Sequence, residues 1–299
     1  MVLFCPVTGI PMLAVAAVTA FYAFKKSKKN FSKDKIALSV VATGLVFALQ
    51  MINFAIPSTG SSGHIVGGIL LSILLGPYVA FLAMCSILLV QSVFFADGGL
   101  LALGCNIFNM AFLACLVAYP LVYKPLADKN KAVWGTVLSS VVALQLGSIA
   151  VVLEGFLSGS IAISQIMNFT YLMQSIHFVI GIAEGLVTAG IVVFAKFVDS
   201  KKLSYLFGLI SLLLAGVISQ YASQKPDGLE WSLLNISESI VMQTQGVLYN
   251  MAESIQAKSS VFLNLPFTFG SIAGLLLVIV IMFSICHLIN IKTVKENAE

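Results

Sequence analysis

Arginine is absent from this 299-residue chain: its sixteen basic residues are all lysines, and charged residues of both signs make up only 9% of it. A soluble globular domain carries about 25% charged residues. Water cannot solvate a surface so poor in charge, so the medium is lipid, and soluble enzymology is excluded. Period-two alternation is missing too; the apolar runs are long and continuous. Lipid offers the backbone no partners, so only helices or closed barrels span it, and runs of this kind are helices. No Gly-Lys dipeptide occurs, hence no GxxxxGK[ST] phosphate loop, and there is no HExxH or CxxC. The five cysteines, Cys5, Cys85, Cys105, Cys115 and Cys286, sit in or beside apolar runs. Free cysteine packs as a small hydrophobe, so these residues report packing and no redox compartment.

What is present is apolar length: 59% of the residues are hydrophobic. The fold class is all-α, a polytopic transmembrane bundle of about nine spans. They run roughly over 8–24, 36–56, 65–81, 83–96, 100–122, 132–154, 172–196, 203–220 and 270–291; the third and fourth are short, and the turn signal at Gly76–Pro77 suits a tight pair of helices. The run from Val2 to Phe24 lacks a basic leader and is followed at once by lysines, a stop-transfer arrangement, so it stays as a helix. Lysines cluster in 25–35, 124–131, 196–202 and the tail at Lys292 and Lys295. With the N-terminus outside and alternating spans, all four clusters fall on one face, and only Lys225 and Lys258 on the other. The positive-inside rule makes the clustered face cytoplasmic and places the C-terminus there. A domain boundary is most natural near 200, at Asp199-Ser200-Lys201-Lys202. Beyond it lie a helix, a long outer loop and a last helix. In that loop Ile236, Ile240, Val247, Met251 and Ile255 recur at helical spacing. The stripe predicts an amphipathic helix that docks on the first domain or lipid headgroups, or folds on its own loop.

Ionisable groups within a bilayer cost about 2.5–3.5 kcal/mol each on insertion scales, so each needs a reason. Glu154 lies near an outer helix end, where snorkelling suffices. Asp97, before Gly98 and Gly99, is a turn signal whose carboxylate can also line a cation entrance. His177 and Glu184 are seven residues apart and share a helix face that points into the bundle, as an interhelical hydrogen-bond network or a conformational coupling element. Gln50, Asn53, Gln91, Asn106, Asn109 and Gln174 read as polar interior. Gly181, Gly185 and Gly190 permit close helix approach, within the bundle or to a partner. His64 follows the stretch Pro57-Ser-Thr-Gly-Ser-Ser62-Gly. Its imidazole is either a helix-end hydrogen-bonding group or a ligand for nickel, cobalt, zinc or copper.

These residues carry a resemblance. Gln50-Met-Ile-Asn53, Ser62-Gly-His64, Gly67-Gly68, Leu75-Gly-Pro77, Asp97-Gly-Gly, Gly104-Cys-Asn106-Ile-Phe-Asn109 and His177-Phe-Val-Ile-Gly-Ile-Ala-Glu184 stand in one order. The series resembles the cobalt/nickel substrate-capture component of energy-coupling-factor transporters. Pro226-Asp227-Gly228-Leu229-Glu230, in the outer loop, is similar to the accessory small subunit of the same systems, which is often fused to the capture component. The resemblance implies a metal-capture domain over 1–200 and an accessory domain over 201–299. It implies a multi-pass protein of the cytoplasmic membrane that takes up Co(II) or Ni(II) for cobalamin synthesis or nickel enzymes. It holds no built-in cofactor and is not itself an enzyme. A transmembrane coupling protein and two cytoplasmic ATPase subunits supply the energy, in keeping with the missing phosphate loop.

One departure matters. The family opens Met-His-Ile-Pro and binds metal through four nitrogens: the terminal amine, the amide and imidazole of the second residue, and the imidazole of the Ser/Thr-Gly-His motif. Here position 2 is Val, so only His64 carries over as a metal ligand, with Asn53, Ser62, Gln91, Asp97, Asn106 and Asn109 as polar surroundings. Either the written start lies downstream of the true one, in which case the chain as written binds metal poorly, or the metal site has been lost or rebuilt. Vitamin capture by the same transporter class is the alternative cargo. An intramembrane metallo-hydrolase using His64, His177 and Glu184 is the alternative from another class.

Overall fold

The computed structural model describes residues 6–28, 32–236 and 247–296. The first helix, α1 (Pro6–Ser27), is followed by α2 (Asp34–Gln50) and a minimal antiparallel hairpin of β1 (Phe54–Ala55) and β2 (Ser62–Gly63), in which Phe54 faces Gly63. Next come α3 (Gly68–Leu75) and α4 (Pro77–Phe94). A long helix follows, beginning as α5 (Leu103–Asn106), widening to i→i+5 bonding over Ile107–Tyr123 and closing as α6 (Lys124–Ala127). The remainder is α7 (Ala132–Leu157), α8 (Ile166–Ala195), α9 (Ser200–Gly216), α10 (Gly228–Ile236), α11 (Val247–Ser259) and α12 (Phe267–Glu296).

Among the described residues, six helical stretches are long and apolar enough to cross a bilayer: 6–27, 77–94, 103–127, 132–157, 163–195 and 267–291. They coincide with six of the nine expected spans. The helices at the second and eighth expected spans, α2 and α9, have 17 residues each. The third differs outright. Over 65–81 the chain makes only the eight-residue α3, about 12 Å long against a hydrocarbon core of about 30 Å. Gly76, at φ 84°, turns the chain, and Pro77, which has no amide hydrogen, opens α4. Hydropathy runs straight through this break because both halves are apolar; the Gly-Pro pair is what ends the helix.

Helices in lipid associate through close packing more than through the hydrophobic effect. The pairing of α7 with α8 illustrates this: a methyl on Gly181 would lie 2.9 Å from Val141 Cα, and one on Gly185 2.7 Å from Val137 Cα. These two glycines serve the bundle, whereas Gly190 has open space beside it. Helices α9 and α12 both pack on α2. Leu275, Val278, Met282 and Cys286 of α12 join Phe47, Phe81 and Met84 in one hydrophobic cluster, so the segments on either side of position 200 share a core. Cys105, Cys115 and Cys286 are buried and Cys85 half-buried, as packing residues should be; Cys5 lies outside the described residues.

The expected outer-loop stripe does not pack on the first domain as one face. Ile236 is buried at the end of α10, Ile240 lies outside the described residues, and Val247, Met251 and Ile255 of α11 are 76%, 55% and 55% exposed. The helix docks by its polar edge instead. Gln256 Nε2 donates to the Ser92 carbonyl at 2.7 Å, Gln256 Oε1 accepts from the Leu100 amide at 2.8 Å, and Ser259 Oγ donates to the Val93 carbonyl at 3.0 Å. The last carbonyls of α4 have no donors within their own helix, and these side chains supply the missing ones.

Candidate metal-binding cavity

A cavity of about 310 Å³ lies at the hairpin end of the bundle. His64, Asp97, Asn106, His177, Asp227 and Glu230 are among the residues that line it. They come from the hairpin, the α4–α5 turn, the long helix, α8 and the start of α10. Gln91, Asn109 and Glu184 line it as well, whereas Asn53 and Ser62 do not.

His64 is fixed from both sides along the chain. Before it, the Ser62 amide donates to the Pro226 carbonyl at 2.8 Å, and Ser62 Oγ donates to the Lys225 carbonyl at 2.7 Å. The Asn53 carbonyl accepts from the Ser223 amide at 2.8 Å. Asn53 and Ser62 thus tie the hairpin to the 223–226 segment. After His64, Glu184 accepts from the Val66 amide at 2.9 Å and the Gly67 amide at 3.1 Å. The Val66 carbonyl accepts from Gln50 Nε2 at 2.6 Å, and Gln50 Oε1 from Gln91 Nε2 at 2.9 Å. The glycine of the Ser-Gly-His motif is needed for contact: a methyl at Gly63 would lie 2.7 Å from Ile180 of α8.

The Pro-Asp-Gly-Leu-Glu segment reaches over this cavity. Pro226 supplies its carbonyl to the hairpin. Asp227 Oδ1 accepts from the Glu230 amide at 2.8 Å, capping α10. Gly228 lies against α8, where a methyl would come 3.1 Å from His177 Cε1. Leu229 packs beside a cluster containing Met173 and Leu233. Glu230 is exposed at the rim. The sequence marked these residues as a motif, but their arrival beside His64 and His177 is a long-range contact without a local signal.

Asp97 sits in the turn expected of Asp-Gly-Gly, with Ala96, Gly98 and Gly99 all at positive φ. It is exposed at its surface and lines the cavity. Burial among the surrounding residues raises its pKa above the usual carboxylate value, Asp227 adds to the rise, and His64 opposes it. His177 Nδ1 is 2.8 Å from the Met173 carbonyl. Glu154 departs from the snorkelling expectation: it is buried and accepts from Asn109 Nδ2 at 2.7 Å. A hydrogen-bonding amide on the neighbouring helix holds it inside. Gln174 binds Ser148 Oγ at 2.6 Å and the Gln145 carbonyl at 3.2 Å, joining α7 to α8. Among the described residues no three His, Cys, Asp or Glu side chains form a group able to hold a metal ion by themselves. Position 2 lies outside the described residues.

The helices long enough to cross a bilayer define a multi-pass membrane protein, with a cavity of mixed polar and apolar lining among them. Residues 2–201 match the family described as "Cobalt uptake substrate-specific transmembrane region", CbiM, and the chain belongs to that family; residues 201–291 match the PDGLE domain. A protein of Archaeoglobus fulgidus, provisionally named a fused nickel transport protein, is 38% identical over 159 residues, 51% of this chain and 50% of that one. The match thus spans half the length of that relative. A protein of Haloquadratum walsbyi, provisionally named a metal transport protein, is 34% identical over 181 residues, 59% of this chain and 79% of that one. A solved structure described as a transition metal transporter superposes with a TM-score of 0.57 and 28% identity, covering 69% of this chain and 96% of that one.

Proposed function

We propose that this chain is the substrate-capture component of an ATP-driven energy-coupling-factor importer for cobalt or nickel ions, serving cobalamin synthesis or nickel enzymes. Residues 1–200 form the metal-capture domain and 201–299 the accessory domain. One observation carries the reading. In a chain of the cobalt-uptake family, His64 opens onto the same cavity as the Asp227–Glu230 segment. An imidazole nitrogen suits either ion. The carboxylates of Asp97, Asp227 and Glu230 line the same chamber and favour a dication there.

In this reading the N-terminus is outside, the C-terminus is cytoplasmic, and the cavity faces outward. A separate transmembrane coupling protein and two cytoplasmic ATPase subunits drive reorientation. Release requires weaker binding in the inward state than in the outward one. Glu184 is the coupling element: it grips the backbone just beyond His64, so a shift of α8 moves the imidazole. The deciding experiment is uptake of radioactive cobalt and nickel by cells that express the chain with its partner subunits. His64→Ala should lower accumulation to the level of cells lacking the chain. Undiminished accumulation in the variant would remove His64 from the site, whereas a native chain that raises neither ion above the level of cells lacking it would reject cation capture and favour a vitamin as cargo.

A further inference from the structure

The hydrogen bond of His177 runs to its own helix, α8, and not between helices as the sequence suggested. The Met173 carbonyl can only accept a hydrogen bond, so the ring nitrogen 2.8 Å from it, Nδ1, is the one that carries the hydrogen. In the neutral imidazole this leaves a lone pair on Nε2. A ring oriented by an Nδ1–H bond to a carbonyl, with Nε2 bare, is prepared for a metal ion. The side chain lines the cavity that also contains His64. Gly228 lies against the Cε1 edge of the ring, where a methyl would come within 3.1 Å. Two further features point to a cation. Asn109, only 6% exposed, lines the cavity; its Oδ1 has no hydrogen-bond partner among the described residues, while its Nδ2 is committed to Glu154. Asp97 and Asp227 border the same space.

We infer that Nε2 of His177 is a second imidazole ligand for a divalent first-row transition-metal ion held in the cavity together with His64. The inference rests on the cation-capture reading and deepens it. Two imidazoles fall short of the three-ligand group that the described residues lack. The remaining positions fall to oxygen donors, for which the bare amide oxygen of Asn109 and water are suited.

The test is X-ray absorption spectroscopy of the full chain, purified in its membrane mimic and loaded with excess nickel, with nickel affinity measured by titration calorimetry. Only three histidines exist in the chain. The third, His287, stacks on Phe283 and lines a separate pocket with Lys33 and Ile36. The native protein should show two imidazoles on the metal. His177→Asn keeps an amide N–H for the Met173 carbonyl but removes the ligand nitrogen. It should show one imidazole and bind nickel at least about tenfold more weakly, the loss that even a partner one step removed from a metal can produce. One imidazole in the native protein overturns the inference, and that measurement needs no folded variant. Unchanged imidazole count and affinity in His177→Asn overturns it too. His64→Ala separates the two ideas. Binding abolished there but intact in His177→Asn leaves cation capture standing and removes His177. Binding unchanged in His64→Ala, with loss in His177→Asn, removes His64 and keeps His177. A native chain that takes up no nickel in excess removes both.

Discussion

Glu184 holds Val66: its Oε2 accepts the Val66 amide at 2.9 Å, while Oε1 of the same carboxylate accepts the Gly67 amide at 3.1 Å. Two donors from consecutive residues need two acceptor oxygens. Glu184→Gln supplies one, and its NH2 faces an amide that can only donate. The expected cost is about 1–3 kcal/mol, that of leaving a buried donor unpaired. It should appear as a lower melting temperature in detergent together with reduced metal uptake. A variant as stable and as active as the native protein would show that the clamp is dispensable.

Asp227 combines a cap and a charge, and two substitutions separate them. Asn caps a helix about as well as Asp, whereas Ala loses about 1 kcal/mol. Asp227→Asn should leave the stability of α10 unchanged but raise, several-fold, the metal concentration giving half-maximal uptake. Asp227→Ala should show both effects. Hydrogen exchange at the α10 amides reads the cap, and concentration-dependent uptake reads the charge.

For Asp97 the pH sign is definite. Its folded-state pKa lies above the usual value, chiefly through burial. A carboxyl group held high favours the folded state when protonated. Its effect on stability is therefore absent below the unfolded pKa and becomes increasingly unfavourable as pH rises from there to the raised folded value. Asp97→Asn should melt higher than the native protein at neutral pH, and the difference should vanish in acid below the ordinary aspartate range. Melting curves across that window check this.

Gln256 is the main polar anchor of α11, with bonds to Ser92 and Leu100. Gln256→Ala should speed hydrogen exchange across 247–259 and leave the amides of α7 and α8 unaffected. Equal protection in α11 would mean that Ser259 suffices.

Much of the bundle was legible in the chain because hydropathy reports burial in lipid directly. The Gly76–Pro77 break was half legible: the pair signalled a turn, but apolar residues on both sides hid that α3 is too short to cross. The cavity was legible residue by residue and not as a place. His177 and Glu184 stood out as polar groups in an apolar run, His64 by the Ser/Gly stretch before it and Asp97 as a turn signal. Their convergence with Asp227 and Glu230 joins segments far apart in the chain, which no local period encodes. The burial of Glu154 was hidden for the same reason, since its partner Asn109 lies on another helix. The stripe on α11 marked an amphipathic helix without saying which edge meets the protein, and here the glutamine edge does.

The 223–226 strip meets the hairpin largely through peptide groups: the Asn53 carbonyl takes the Ser223 amide, and the Pro226 carbonyl takes the Ser62 amide. On the strip's side such a joint is nearly blind to side-chain identity, while the hairpin adds the Ser62 hydroxyl. It follows that strips exchanged between related chains should still seat wherever the serine before the Gly-His pair, the small residue at 228 and the apolar one at 229 are kept, and that such chimaeras will then differ chiefly in the charge they bring to the cavity.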